Sequence, residues 1–69
     1  MFTIDRTDPR AQALEEWRDA EQLVSTRWGT FLEAEDEARR FAYASYVAAL
    51  DAEEAAATEL ASLALRIAA

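Results

Sequence analysis

The chain is short and acidic, and it lacks most of the side chains that enzymes use. Its 69 residues carry 14 Asp and Glu against 7 Arg, a formal net charge of -7, and they include no His, Cys or Lys. A chain of this length allows one small domain. The commonest general base, metal ligand, thiol nucleophile and Schiff-base amine are missing, so we expect no enzyme activity, no metal site and no cofactor.

The first predicted helix covers residues 8–28. Residues 1–7 have no helical period, and we expect them to form an extended arm. Asp8-Pro9 is typical of a helix start, because Asp caps the first turn and Pro lacks only an N–H that would be unpaired there. Apolar residues then recur at spacings of three and four, which indicates one buried helix face: Ala11, Ala13, Leu14, Trp17, Ala20, Val24 and Trp28.

A turn is predicted next, at residues 29–30. Gly29 can end a helix in the left-handed conformation, and Thr30 followed by Glu33 is a capping-box pattern. The apolar period nevertheless continues through Gly29, and one glycine costs a helix only about 1 kcal/mol relative to Ala. Two alternatives therefore stay open, a turn slightly later, near Ala34 to Asp36, or a single kinked helix.

The second predicted helix is longer and covers residues 31–67. Ala, Glu, Arg and Leu dominate it, and all four are strong helix formers. Glu35 and Arg39 form a favourable pair four residues apart, as do Asp36 and Arg40. Arg66 lies near the predicted end, where a cation complements the helix dipole.

Apolar residues occur on two sides of this second helix. One side is a stripe of mainly small residues, called here the alanine stripe: Phe31, Ala34, Ala38, Ala42, Ser45, Ala49, Ala52, Ala56, Leu60, Leu63 and Ile67. The other side carries Leu32, Tyr43, Tyr46, Val47 and Leu50. Because one shorter helix cannot cover both sides, we expect an all-α antiparallel two-helix hairpin that dimerises into a four-helix bundle.

The candidate partner-binding residues are the large side chains of these faces: Tyr43, Tyr46, Val47, Leu50, Trp17 and Trp28. Tyrosine combines a large contact area with a polar tip and is enriched at interfaces. Self-association is the simpler explanation of the patch formed by Tyr43, Tyr46, Val47 and Leu50. Binding in an apolar groove of a different protein is the more specific explanation. The two tryptophans share one helix face. They are interpreted either as part of the core of the hairpin or as anchors for a partner.

The acidic residues are weaker candidates for a site. Glu21 shares the face of Trp17, and we expect it to reach the bundle edge and pair with Arg18 or with an Arg of a second chain. Four further acids could in principle hold a metal ion, but without His they are expected to form a solvated acidic face: Asp51, Glu53, Glu54 and Glu59.

The sequence therefore predicts a small acidic module for protein–protein interaction or oligomerisation. The alternative is an acidic inhibitor or antitoxin-like protein that masks a basic surface of its partner. Negative charge opposes binding to nucleic acid and to anionic lipid. The longest uncharged apolar stretch, Phe41 to Leu50, is too short to span a membrane, and the N-terminus does not resemble a signal peptide, so we expect a cytoplasmic protein.

Overall fold

The protein is an antiparallel pair of helices. The computed structural model describes the backbone of residues 8–68 and the side chains of residues 8–66. Helix α1 is Pro9–Glu33 and helix α2 is Asp36–Ala68, with 25 and 33 residues, or about 38 and 50 Å. The predicted all-α hairpin with a longer second helix is confirmed. The predicted arm over residues 1–7 and the side chain of Ile67 lie outside the described residues.

The start of α1 is capped as the sequence predicts. Asp8 has an extended backbone, and its carboxylate accepts a hydrogen bond of 3.0 Å from the backbone N–H of Arg10. Pro9 occupies the first helical position, where its missing N–H leaves no hydrogen bond unmade. The carbonyl oxygen of Asp8 accepts the first helical bond, from the N–H of Gln12 at 3.1 Å.

The turn lies at Ala34 and Glu35, further along the chain than the predicted position. Ala34 is extended and ends α1, and its N–H donates to the carbonyl oxygen of Phe31. The predicted turn at 29–30 is therefore wrong, as are the helix bounds 8–28 and 31–67 and the single kinked helix. The structure agrees with the other alternative, the later turn near Ala34 to Asp36.

The extra turn of α1 has a physical explanation. Gly29 lies inside α1 with a negative φ, and a helical glycine costs only about 1 kcal/mol relative to Ala. The Thr30 hydroxyl donates to the carbonyl oxygen of Thr26 within the same helix, at 3.1 Å, instead of capping a new one. Continuing α1 brings the Phe31 ring onto Tyr43 of α2, and this packing offsets the cost of the glycine.

Charges at both ends of α2 match the helix dipole. The carbonyl oxygen of Glu35 accepts from the N–H of Arg39 at 2.9 Å and so opens the helix. Asp36 and Glu37 lie in its first turn and Arg66 in its last, where each sign of charge is favourable. The strong helix formers between these ends leave no break in α2.

The core between the two helices is built mainly from small side chains. Ala13 of α1 and Ala42 and Ala49 of α2 are the buried residues of the described chain, and none of its large side chains is fully buried. Alanines at these positions allow the two helix backbones to approach closely. The middle of the alanine stripe, at Ala42 and Ala49, therefore faces α1 within the same chain and is not free to pair two copies.

Candidate protein-binding face

Four aromatic rings lie together next to the turn and form what we call the aromatic cluster: Trp28, Phe31, Tyr43 and Tyr46. Within α1 the first two rings have centroids 5.4 Å apart, and within α2 the two tyrosine centroids are 6.4 Å apart. Across the helices, Trp28 lies 5.0 Å from Tyr46, and Phe31 lies 5.6 Å from Tyr43. Each ring therefore contacts two others, one on its own helix and one on the opposite helix.

The position of the cluster follows from helix spacing and from the turn. Trp28 and Phe31 are three residues apart, as are Tyr43 and Tyr46, so each pair lies on one face of its helix. The short turn then brings the end of α1 against the start of α2. All four ring pairs are tilted rather than stacked face to face, an arrangement worth about 0.5–1.5 kcal/mol per pair beyond the buried area.

Arg39 covers the cluster on the side of the turn. Its guanidinium carbon lies 5.0 Å from the centroid of the Phe31 ring, within the range of a cation–π interaction. Arg39 is exposed, so the charged group stays in water while it contacts the ring. The sequence pattern pairs Arg39 with Glu35 but gives no signal for this contact, which depends on where the turn places Phe31.

The aromatic cluster is only half covered by the protein itself. Trp28 is 42% exposed and Tyr43 is 53% exposed, whereas Phe31 and Tyr46 are half-buried. Leu50 follows Tyr46 by one helical turn and Leu32 follows Trp28 by one turn, and both leucines are exposed. We call these residues together the apolar face: Trp28, Leu32, Tyr43, Tyr46 and Leu50.

Most of the residues predicted to bind a partner belong to this surface or adjoin it. Trp28, Tyr43 and Tyr46 are in direct ring contact, and Leu50 continues the face by one turn. Val47 is half-buried and follows Tyr43 by one helical turn. The sequence assigned Phe31 to the alanine stripe, and its contact with Tyr43 is visible only in the folded hairpin.

Trp17 lies away from the cluster, between the two helices. Its indole N–H donates to a carboxylate oxygen of Glu53 at 2.7 Å, and both side chains are half-buried. The prediction that Glu53 belongs to a solvated acidic face is therefore wrong. Glu53 belongs to the contact between α1 and α2. The sequence places Glu53 on the same side of the helix as Tyr46, seven residues earlier, but it gives no signal for the contact with Trp17.

The remaining acidic candidates are exposed. Asp51, Glu54 and Glu59 lie on the surface, as does Glu21. In residues 8–66 no group of three or more acidic side chains is arranged to hold a metal ion. Neither described helix is long and apolar enough to cross a membrane.

Other large apolar side chains are exposed outside the apolar face. Phe41, near the start of α2, is 76% exposed, and Leu65, near its end, is also exposed. Leu23 of α1 is exposed as well. These three are separated along the helices, whereas the apolar face is the one described surface where aromatic rings from both helices meet.

Comparison with known proteins gives no relative from which a role could be transferred. The chain matches no protein-family model, no curated protein and no solved structure.

Proposed function

We propose that this chain is a small non-enzymatic module for protein–protein interaction, and that its apolar face binds a second copy of the chain. The observation that supports the proposal is a half-exposed cluster of four aromatic rings, with the exposed Leu32 and Leu50 one helical turn beyond Trp28 and Tyr46. Soluble proteins seldom leave a contiguous apolar patch of this kind uncovered unless it is a binding surface. Tryptophan and tyrosine are also enriched at the centres of protein interfaces.

The size of the hairpin also fits an interface. Two helices side by side form a layer about 20 Å wide, and they overlap over the length of α1, about 38 Å. One side of this layer therefore has a projected area of about 760 Å², large enough to bury the roughly 800 Å² of accessible surface per partner of a standard interface. A second hairpin on this side adds the second layer that most domains need, and the product is a four-helix bundle.

Two single substitutions at adjacent positions test the proposal. Tyr43→Glu places a charge in the apolar face, whereas Ala44→Glu places the same charge on the exposed outer side of α2. We expect sedimentation equilibrium to give a dimer for the wild type and for Ala44→Glu. Dimerisation of Tyr43→Glu should be weaker by about tenfold or more, because burying an unpaired charge is costly.

Circular dichroism of the same samples is the folding control. Both variants should stay helical at the highest protein concentration used. A wild-type chain that is monomeric at micromolar concentration and fully folded contradicts the proposal. So does a Tyr43→Glu variant that dimerises as well as Ala44→Glu.

A second candidate function, masking of a basic surface on another protein, is favoured by the exposure of the acids. Every described acidic side chain except Glu53 is exposed, including four within residues 33–37 around the turn. Neutralising Glu33, Glu35, Asp36 and Glu37 should abolish salt-sensitive binding to an arginine-rich peptide. Neutralising Glu15, Glu16 and Asp19 is the control, and equal losses in the two variants would contradict a specific acidic surface.

A further inference from the structure

We infer that the second copy binds in reversed orientation, with the turn of each protomer lying on the open end of the other. The open end is the end of the hairpin at which α1 begins and α2 finishes. This inference rests on the proposed function, and it adds the geometry of the dimer: α2 of one copy crosses the apolar face antiparallel to α2 of the other.

The sizes of the side chains along α2 favour this orientation. Residues seven apart lie on nearly the same side of a helix, so one row passes through Tyr43, Leu50, Ala57 and Ala64. The half of this row near the turn is bulky and the half near the open end is small. Protein interfaces pack to the density of protein interiors, and large side chains opposite small ones interdigitate to reach that density.

A two-fold axis through the middle of α2 matches the two halves. Antiparallel pairing about a point between residues 53 and 54 sets Tyr43 against Ala64 of the other copy and Leu50 against Ala57. That point is near the centre of α2, which runs from Asp36 to Ala68, so almost the whole helix takes part. The match in size and the full overlap of the helices therefore occur in one arrangement.

The opposite arrangement, turn against turn, packs poorly. It places the two aromatic clusters on each other, bulky side against bulky side, because the exposed rings of Trp28 and Tyr43 lie near the turn in both copies. It also leaves the small residues Ala57 and Ala64 near the small side chain of Ala11, with unfilled space between the layers. Overpacking at one end and cavities at the other both lower stability.

The distribution of charge favours the same orientation. Residues 33–40 around the turn contain four carboxylates and two arginines, and all six side chains are exposed. At the open end, Arg10 and Arg66 are accompanied by Asp8. Turn-against-turn pairing brings two acidic ends together, whereas the reversed pairing places each acidic turn near Arg10 and Arg66 of the other copy.

A distance measurement between the two copies distinguishes these arrangements. The chain has no cysteine, so Glu35→Cys in the turn accepts a single spin label, and Glu54→Cys labels a position near the proposed axis. Double electron–electron resonance should give a distance of about 55 Å between labels at position 35 and about 20 Å or less between labels at position 54. The first value follows from the helical rise of about 1.5 Å per residue.

Each outcome of this measurement has a different meaning. A separation below about 25 Å between labels at position 35 overturns the reversed orientation but leaves the dimer. Turn-against-turn pairing gives such a distance, because it places the two turns within about one to two helix diameters of each other. The absence of any intermolecular distance, together with a monomer in sedimentation, overturns the proposed function as well.

A size exchange within the row tests the pairing of individual residues. Tyr43→Ala and Ala64→Tyr should each weaken the dimer by about tenfold, the first by leaving a cavity and the second by overpacking. The double variant restores a large residue opposite a small one and should recover most of the loss. Losses that simply multiply in the double variant show that the two positions do not touch, and they overturn the assignment.

Discussion

Gly29 is the residue whose role differs most from its sequence signature. It lies in the interior of α1 with a negative φ, and a Cβ built on it meets no atom within 4 Å. Glycine here therefore provides no left-handed conformation and no close approach. It only adds freedom to the unfolded chain and weakens the helix.

We therefore expect Gly29→Ala to stabilise the protein by about 0.5–1 kcal/mol, the usual helix-propensity difference. Urea unfolding followed by circular dichroism measures the change. Ala38→Gly, at an exposed position inside α2, is the reciprocal control and should lose a similar amount. A Gly29→Ala variant that is less stable than the wild type would mean that this position needs glycine for contact with a partner.

Glu53 is the acidic side chain that the fold uses between its helices. Its hydrogen bond from Trp17 is short and partly shielded from water, which strengthens a bond to a charged acceptor. Glu53→Ala should cost about 1.5–2 kcal/mol, at the lower end of the range for hydrogen bonds to charged groups. Glu53→Gln keeps an acceptor oxygen and should cost less, and Glu54→Ala, at an exposed neighbour, should cost close to nothing.

Fluorescence gives an independent measure of this contact. In a Trp28→Phe background Trp17 is the only tryptophan, so its emission reports on its own surroundings. Glu53→Ala should change that emission in the folded state. Unchanged emission and unchanged stability together would contradict a hydrogen bond that fixes the pairing of the two helices.

The helix ends show which local signals could be read from the sequence. Asp8-Pro9 acts as predicted, because a cap and a fixed φ depend only on the first turn. The signal at Gly29-Thr30 was equally local but did not decide the turn. Contacts of Phe31 with Tyr43, far apart in sequence, outweigh a glycine penalty of about 1 kcal/mol, and periodicity alone cannot weigh the two.

Proline substitutions test the position of the turn directly. Asp36 is the first residue of α2, where proline is tolerated, so Asp36→Pro should cost about 1 kcal/mol or less. Thr30 lies inside α1, and Thr30→Pro should cost about 3 kcal/mol through a lost hydrogen bond and a clash with the preceding turn. Thermal unfolding followed by circular dichroism compares them. The reverse order of stability would move the turn back to residues 29–30.

At the scale of the whole molecule, the sequence predicted the candidate face better than the contacts beneath it. Tyr43, Tyr46 and Leu50 could be assigned to one side of α2 because helical periodicity fixes the direction of each side chain. The sequence could not show that Trp28 completes the cluster while Trp17 is held by Glu53. That difference depends on the register between the helices, which the position of the turn determines.

The small core makes a final prediction possible for the whole molecule. The described buried residues are three alanines, and a chain of this size without disulfides is expected to be marginally stable alone. If the apolar face is buried by dimerisation, binding contributes to folding, and the stability must rise with protein concentration. A tenfold rise in concentration is worth about 1.4 kcal/mol per dimer, or about 0.7 kcal/mol per chain.

That change corresponds to a rise of about 3–6 °C in the unfolding midpoint for a chain of this length. Circular dichroism melting curves over a hundredfold range of concentration measure the shift, and Tyr43→Glu should remove it while Ala44→Glu keeps it. A midpoint that does not depend on concentration, in a chain that melts cooperatively, would mean that α1 and α2 are sufficient by themselves. The apolar face would then contribute nothing to folding, and its aromatic cluster would have to be explained by a different partner.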